Sequence, residues 1–205
     1  TVPDSYKWAT NLMGVDGTID QGIAEMELVI KRSENKVEFK NLRKETLFLL
    51  SFLHINLLND VSALANYKSQ VEKESGPLMV FTRSSLLKEM GQTNEAISTL
   101  EAHPESLLAF PYLNFLLGEL KLARLDKDAE RYLLKYIKSF KGASYLKASY
   151  QKLAWFALLV KEDPQLYSTY ISKVEDVGNT MLDEDKSAQK EFESGLTPEK
   201  VLLQA

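Results

Sequence analysis

The fold class is decided by the stretch MGQTNEAISTL, residues 90–100. Gly91 can adopt a positive φ and end one helix, and the Thr-Asn pair after it can cap the next helix. Ala96 and Leu100 then place a small and a large apolar side chain one helical turn apart. A small residue lets two helices approach closely, and a large one fills the adjacent groove. The stretch therefore predicts the turn and the second helix of an antiparallel helix pair.

The same small-then-large step recurs along the chain. Ala63, Ala96 and Ala129 are separated by 33 residues each. The residues four positions later are Tyr67, Leu100 and Leu133. Equal spacing of alanines could arise by chance in a chain rich in Leu and Ala. A chance origin is less favoured here, because the large residues and the loops recur at the same spacing as the alanines. The spacing therefore predicts a helical repeat.

Helical periodicity extends well beyond this repeat. Leu outnumbers Val plus Ile by 33 to 18, and γ-branched and straight-chain residues suit helices better than strands. Period-two alternation is absent, whereas the 3.6-residue period recurs. We expect an all-α fold. The predicted helices are 4–14, 18–33, 38–58, 60–74, 77–90, 93–102, 105–123, 126–140, 143–161, 164–178 and 184–194.

Short loops between these helices predict antiparallel helix pairs. Stacking such pairs predicts a right-handed superhelical α-solenoid of about five antiparallel helix hairpins, as a single array over residues 1–205. The approximate units are 4–36, 38–76, 77–104, 105–141 and 142–178. Residues 179–205 are expected to form a linker and the start of a truncated helix.

Residues 90–100 resemble the inter-helix turn and second helix of a tetratricopeptide repeat. The loop Gly, small Ala and bulky position of that family fall on Gly91, Ala96 and Leu100. Residues 124–133 repeat the pattern with the loop Gly replaced. The first helices lack the Trp, Gly and Tyr that the family usually has, and the closing Pro is irregular. The resemblance implies a tetratricopeptide-like fold.

A second resemblance is to the middle section of uncharacterised bacterial exported helical-repeat proteins. The stretches that carry it are PDSYKW (3–8), LMGVDGT (12–18), QGI (21–23), YLKASYQKLAW (145–155), and GNT and ESG between 178 and 195. Those proteins have further repeats on both sides, so the resemblance implies that this chain is part of a longer protein. It also favours the bacterial cell envelope or periplasm.

Composition excludes several kinds of chemistry. The chain has no Cys, which excludes disulfides, Cys-ligated zinc, iron–sulfur clusters and a Cys nucleophile. Two His residues cannot build a His-rich metal centre. No stretch reaches the roughly 20 apolar residues of a membrane helix. We therefore expect no metal, no cofactor and no membrane insertion.

The polar motifs have structural interpretations. Gly14, Gly17 and Gly22 lack the strand and the Gly-Lys-Ser/Thr of a phosphate loop, so we interpret them as a helix stop and a close helix crossing at Gly22. His54 lies on an apolar helix and is expected to be buried and hydrogen-bonded. His103 precedes a proline in a loop and is expected to be solvated.

An acidic triplet stands at 183–185, Asp-Glu-Asp. It lacks the calcium-loop pattern, so we expect it to cap the helix that follows, where negative charge is favoured. No residue is expected to be catalytic, to bind a cofactor or to bind a metal.

Charge is unevenly distributed along the chain, whose net charge is −4. Residues 121–152 contain nine basic and three acidic side chains, a net +6, whereas residues 175–205 contain three basic and eight acidic ones, a net −5. Helical spacing puts Arg131, Lys135 and Lys138 on one face and Tyr132, Tyr136 and Phe140 on another. We interpret these as a solvated basic face and a buried aromatic stripe. A nucleic-acid interface needs exposed aromatics and usually a basic chain, so none is expected, and the two charged segments are expected to complement each other.

Alignment of the repeats places a binding groove on the first helices. Its predicted residues are Phe48, Phe52, Ile55, Phe81, Ser85, Lys88, Asn114, Gly118 and Lys121. For the first three, a place in the core is the alternative. The chain is therefore expected to be a non-catalytic scaffold that binds a protein or a peptide.

Two other classes of function remain open. The chain could be a structural component of a cell-envelope assembly that uses its end faces instead of a groove. An enzyme would need a deep polar pocket with strongly shifted carboxylate pKa values.

Without a polar capping helix, the C-terminal edge should expose apolar surface near 153–174 and 196–203. That surface should self-associate or be covered by the tail of the chain.

Overall fold

The computed structural model is all-helical. It describes residues 18–33, 36, 39–58, 60–199 and 203, and this part of the chain contains no β-strand. The chain divides into two compact units, the first ending at Met90 and the second beginning at Gly91. The division lies inside the predicted repeat unit 77–104, and the five repeat units stay a prediction.

The described part of the first unit is built around one central helix. Its helices are α1 (Ile19–Ser33), α2 (Lys40–Leu53), α3 (Val61–Val71) and α4 (Pro77–Glu89), and a π-helical turn at His54–Leu58 continues α2. Helix α2 contacts α1, α3 and α4, and α3 also contacts α4. The core consists of Ile30, Leu47, Leu50, Leu64, Tyr67, Val71, Met79 and Leu86.

The second unit continues with shorter helices. These are α5 (Thr93–Glu101), α6 (Pro104–Ala109), α7 (Tyr112–Ala123), α8 (Ala129–Ser139), α9 (Leu146–Leu159), α10 (Pro164–Ile171) and α11 (Asp183–Ser194). Helix α7 contacts α5, α8 and α9, and α9 contacts α8, α10 and α11. The fully buried centre of this unit includes Phe115, Leu133, Tyr136, Leu153 and Phe156.

Local capping signals fix several helix ends. The Asp60 carboxylate accepts a hydrogen bond from the Ser62 amide at the start of α3 (3.1 Å). Asp163 accepts bonds from the first free amides of α10, at 2.9 Å each, and Pro164 is the first residue of that helix. Gly76 has φ 108°, which a side chain would disfavour, and Pro77 opens α4. Eight predicted helices are confirmed to within three residues at each end, with the π-helical turn counted as the end of the helix predicted at 38–58.

Two predicted helices need correction, and one lies outside the described residues. The predicted helix 105–123 is broken, because Pro111 lacks an amide N–H and cannot bond to the carbonyl of Leu107. The Asn114 side-chain amide donates to that carbonyl instead, at 2.8 Å. The predicted helix 164–178 ends early, with α10 followed by a 3₁₀ turn at Ser172–Val174. The predicted helix 4–14, with Gly14 and Gly17, is not among the described residues.

The close helix crossing predicted at Gly22 is wrong. Among the residues that the structure describes, a Cβ atom added at Gly22 would have no neighbour within 4 Å, so none of them requires a glycine there. The close approach occurs at Gly118 in α7. A Cβ atom there would lie 2.7 Å from Leu133 Cγ and 3.1 Å from the Leu133 backbone nitrogen in α8.

The apolar surface predicted for residues 153–174 at the C-terminal edge is also wrong. Helix α11 packs on α9, and the large apolar side chains of 153–174 are buried or half-buried. The exposed side chains of α11 are polar. Leu203 packs against the cluster of Ala154, Ala157, Leu158 and Tyr167, which confirms the alternative of a covering tail at that position. Leu196, in contrast, is 73% exposed.

Candidate functional site

The predicted groove residues of the first unit lie partly at its surface. Phe52 is 53% exposed, which makes the core alternative wrong for this residue. Phe48 and Ile55 are half-buried and pack against the core, so that alternative is partly right for them. The Phe48 ring centroid lies 6.2 Å from that of Phe52 and 5.9 Å from that of Phe81 on α4. The structure therefore brings three of the predicted aromatic residues together, while Ser85 is half-buried and Lys88 is exposed farther along α4.

Phe52 belongs to a larger group of exposed apolar side chains at the end of α2 and in the π-helical turn. Its members, called the apolar patch below, are Leu49, Phe52, Leu57 and Leu58, with exposed fractions of 48, 53, 45 and 36%. The period that buries Leu47 and Leu50 would also bury residues 57 and 58 in a regular helix. The π-helical turn widens the backbone and rotates those two leucines away from the core.

The predicted groove residues of the second unit are buried, and the prediction that they line a surface is wrong. Asn114 is fully buried beneath the break between α6 and α7, and Gly118 is covered by Leu133. Lys121 is 5% exposed, with its ammonium 2.7 Å from Glu101 and 3.0 Å from Asp128. Burial lowers the pKa of Lys121 and these two carboxylates raise it, with a net upward shift. These side chains are used for packing and pairing inside the unit.

A polar cleft of about 340 Å³ opens between α1 and α3. It is lined by Glu27, Ile30, Lys31, Asn66, Tyr67 and Gln70. The Tyr67 hydroxyl lies 3.3 Å from a Glu27 carboxylate oxygen and 3.2 Å from His54 Nε2, and His54 Nδ1 lies 3.5 Å from Asp60. The expectation of a buried, hydrogen-bonded His54 is confirmed.

The Tyr67 phenol in this cleft is held in its protonated form. Burial and the negative charge of Glu27 raise the pKa of Tyr67 to about 12, so the phenol stays protonated at neutral pH. In the described part of the chain, no Ser or Thr hydroxyl bonds to His54, so no nucleophile is held against its imidazole. His103, expected to be solvated, is half-buried, with Nδ1 2.8 Å from the Thr99 carbonyl oxygen.

One member of the acidic triplet caps a different helix from the one predicted. All three residues lie in the first turn of α11, as expected, but Asp185 caps another helix. Its carboxylate accepts bonds from the amides of Tyr145 (2.6 Å) and Ala148 (3.0 Å) at the start of α9. Burial raises the pKa of Asp185, and the amide bonds partly oppose that shift. The described residues contain no group of His, Asp and Glu side chains that could hold a metal ion.

Helix α11 of the acidic segment packs on α9, but the hydrogen bonds that join them are not the predicted complement of basic and acidic side chains. The Glu191 carboxylate on α11 accepts bonds from the Gln151 amide (2.7 Å), the Trp155 indole (3.0 Å) and the Tyr167 hydroxyl (3.0 Å). The donors to Asp185 and Glu191 are thus neutral groups. On α8, by contrast, the predicted basic face is solvent-exposed, which confirms that interpretation. Of the predicted aromatic stripe, Tyr132 and Tyr136 are buried and Phe140 is half-buried.

No protein-family model, curated protein or solved structure gives a significant match to this chain. Among the described helices, none combines the length and the apolar character needed to cross a bilayer.

Proposed function

We propose that this chain is a helical-repeat scaffold of tetratricopeptide-like type that binds protein partners and catalyses no reaction. The order of helix contacts supports the solenoid part of this proposal. In the first unit, α2 contacts the helices before and after it and also α4, the next helix but one. In the second unit, α7 and α9 each contact the helix that follows and the next but one. Stacked hairpins in a right-handed solenoid would produce this pattern.

The apolar patch carries the binding part of the proposal. Four large apolar side chains, each about one-third to one-half exposed, occur within ten consecutive residues, 49–58. Such a cluster is a feature of protein-binding surfaces, and aromatic residues contribute most to them. Completing the burial of each side chain would contribute about 1 kcal/mol. The patch could therefore supply about 4 kcal/mol to association before the cost of ordering.

A structural role through the end faces receives less support. That role requires the C-terminal edge to expose apolar surface for the next repeat. Helix α11 and Leu203 cover the exposed sides of α9 and α10 with this chain's own residues. The surface of the first unit is therefore the better candidate for a partner.

The proposal is tested by comparing two double variants as bait in quantitative affinity capture. The patch variant carries Leu49→Ser and Phe52→Ser. The control carries Leu108→Ser and Leu196→Ser, at two sites that are 73% exposed and outside the patch. We expect the patch variant to lose the partners of the wild type at least fivefold while the control keeps them, with circular dichroism unchanged for both. An identical set of partners for all three baits would contradict the proposal.

A further inference from the structure

A row of exposed cations follows α8 in the second unit. Arg131, Lys135 and Lys138 share one face of the helix, Lys127 precedes them and Lys141 follows, and all five side chains are exposed. At 1.5 Å per residue, the helical part of the row, residues 131–138, is about 10 Å long, and Lys127 and Lys141 lie in the connections on either side of α8. The five residues are called the basic row below.

The acidic side chains near the basic row are bound to other groups. Asp126 pairs with Arg124, and Asp128 pairs with the buried Lys121. The carboxylate of Glu130 accepts a bond from the Tyr170 hydroxyl on α10 at 2.6 Å. As far as the structure describes the chain, no carboxylate forms an ion pair with any member of the basic row. Five positive charges therefore face solvent in a protein whose net charge is −4.

The surroundings of the row indicate what kind of anion fits it. Single-stranded nucleic acid needs exposed rings for its bases, but Tyr132 and Tyr136 are buried. Most of the apolar face of α8 is packed inside the unit, so the helix lacks the broad exposed apolar face that an amphipathic helix inserts into a bilayer. Leu134 stands beside the row, 40% exposed, and can contact an apolar side chain of a peptide.

We propose that the basic row binds an acidic helical segment of a partner protein. Carboxylates three and four residues apart on a helix recur every 5–6 Å, which is also the spacing of the cations along α8. A short acidic helix can pair with the row without meeting the negative charge on the rest of the chain, whereas a long polyanion would meet it. This surface lies in the second unit and does not depend on the apolar patch.

The test uses a fluorescein-labelled 16-residue helical peptide with Glu at every fourth position, and its Gln counterpart, in anisotropy titrations at low salt. The row variant is Arg131→Glu, Lys135→Glu and Lys138→Glu. The matched control is Lys161→Glu, Lys173→Glu and Lys190→Glu, three exposed cations of the same unit, with the same change in net charge. We expect the Glu peptide to bind the wild type at least tenfold more tightly than the Gln peptide. The row variant should lose at least tenfold in affinity and the control less than threefold.

Three results would overturn this proposal. The first is an equal loss in both triple variants, which would assign the binding to net charge. The second is equal affinity for the Glu and Gln peptides. The third is that oligo-dT or phosphatidylserine vesicles bind the wild type more tightly than the Glu peptide does, and that only the row variant loses this binding. That result would assign the row to another class of partner. The patch variant should keep its affinity for the Glu peptide, so that failure of one surface is distinguishable from failure of the other.

Discussion

The substitution Gly118→Ala tests the closest helix approach in the second unit. The added Cβ would lie 2.7 Å from Leu133 Cγ, and Leu133 is fully buried and cannot move freely. Overpacking of this kind costs about 1–3 kcal/mol, and the higher helix propensity of Ala returns about 1 kcal/mol. We therefore expect a net loss of about 0–2 kcal/mol in the free energy of unfolding, measured by urea denaturation.

The sharper test is a double-mutant cycle with Leu133→Ala. In the Leu133→Ala background, the side chain of residue 133 no longer obstructs the new Cβ at position 118. Gly118→Ala should then leave the free energy of unfolding unchanged or raise it by up to about 1 kcal/mol, instead of lowering it. Gly22→Ala is the matched control, because a Cβ at Gly22 meets nothing within 4 Å. If Gly118→Ala stabilised the wild type as Gly22→Ala does, or if the cycle were additive, the close approach of α7 and α8 would be refuted.

Two further substitutions test the packing of the second unit. Ala96→Leu should destabilise by about 1–3 kcal/mol, because Ala96 is fully buried; a melting temperature equal to that of the exposed-site control Ala123→Leu would count against the buried register. Asp185→Ala leaves two amides at the start of α9 without an acceptor and should cost about 2–4 kcal/mol in urea unfolding. Asp183→Ala, on the exposed side of the same turn, should have little effect, and equal losses would refute the capping of α9 by Asp185.

Helix positions were predictable where the signal is local. Capping by Asp163, the proline after it and the glycine at 76 act within a few residues, so they can be read directly from the sequence. The break at Pro111 was missed in the predicted helix 105–123, although a proline inside a helix removes a hydrogen bond. Its compensation by Asn114 explains why a polar residue there is buried instead of lining a groove.

Contacts between distant elements were not predictable. Gly22 and Gly118 are both glycines inside predicted helices. They differ in their surroundings, because α8 places Leu133 against Gly118 and no described residue lies that close to Gly22. Asp185 is one of three consecutive acidic residues. It caps α9 because packing brings it to an amide about 40 residues earlier in the chain. A local pattern contains no information of this kind.

The candidate site was predictable in part. The repeat alignment placed Phe48, Phe52 and Phe81 together, and the structure does so. The exposure of Leu57 and Leu58 depends on the π-helical turn, which helical periodicity does not indicate. The sequence therefore led to one member of the apolar patch and missed the other three.

Binding of a partner at the apolar patch can be tested by photo-crosslinking. A photoreactive phenylalanine analogue replaces Phe52 in one variant and Leu108 in the control, and both are irradiated in the cells that produce the protein. We expect a discrete crosslinked partner from position 52 that is absent from position 108 and is lost when Leu49→Ser is added. No crosslink at position 52, or the same products from both positions, would contradict it.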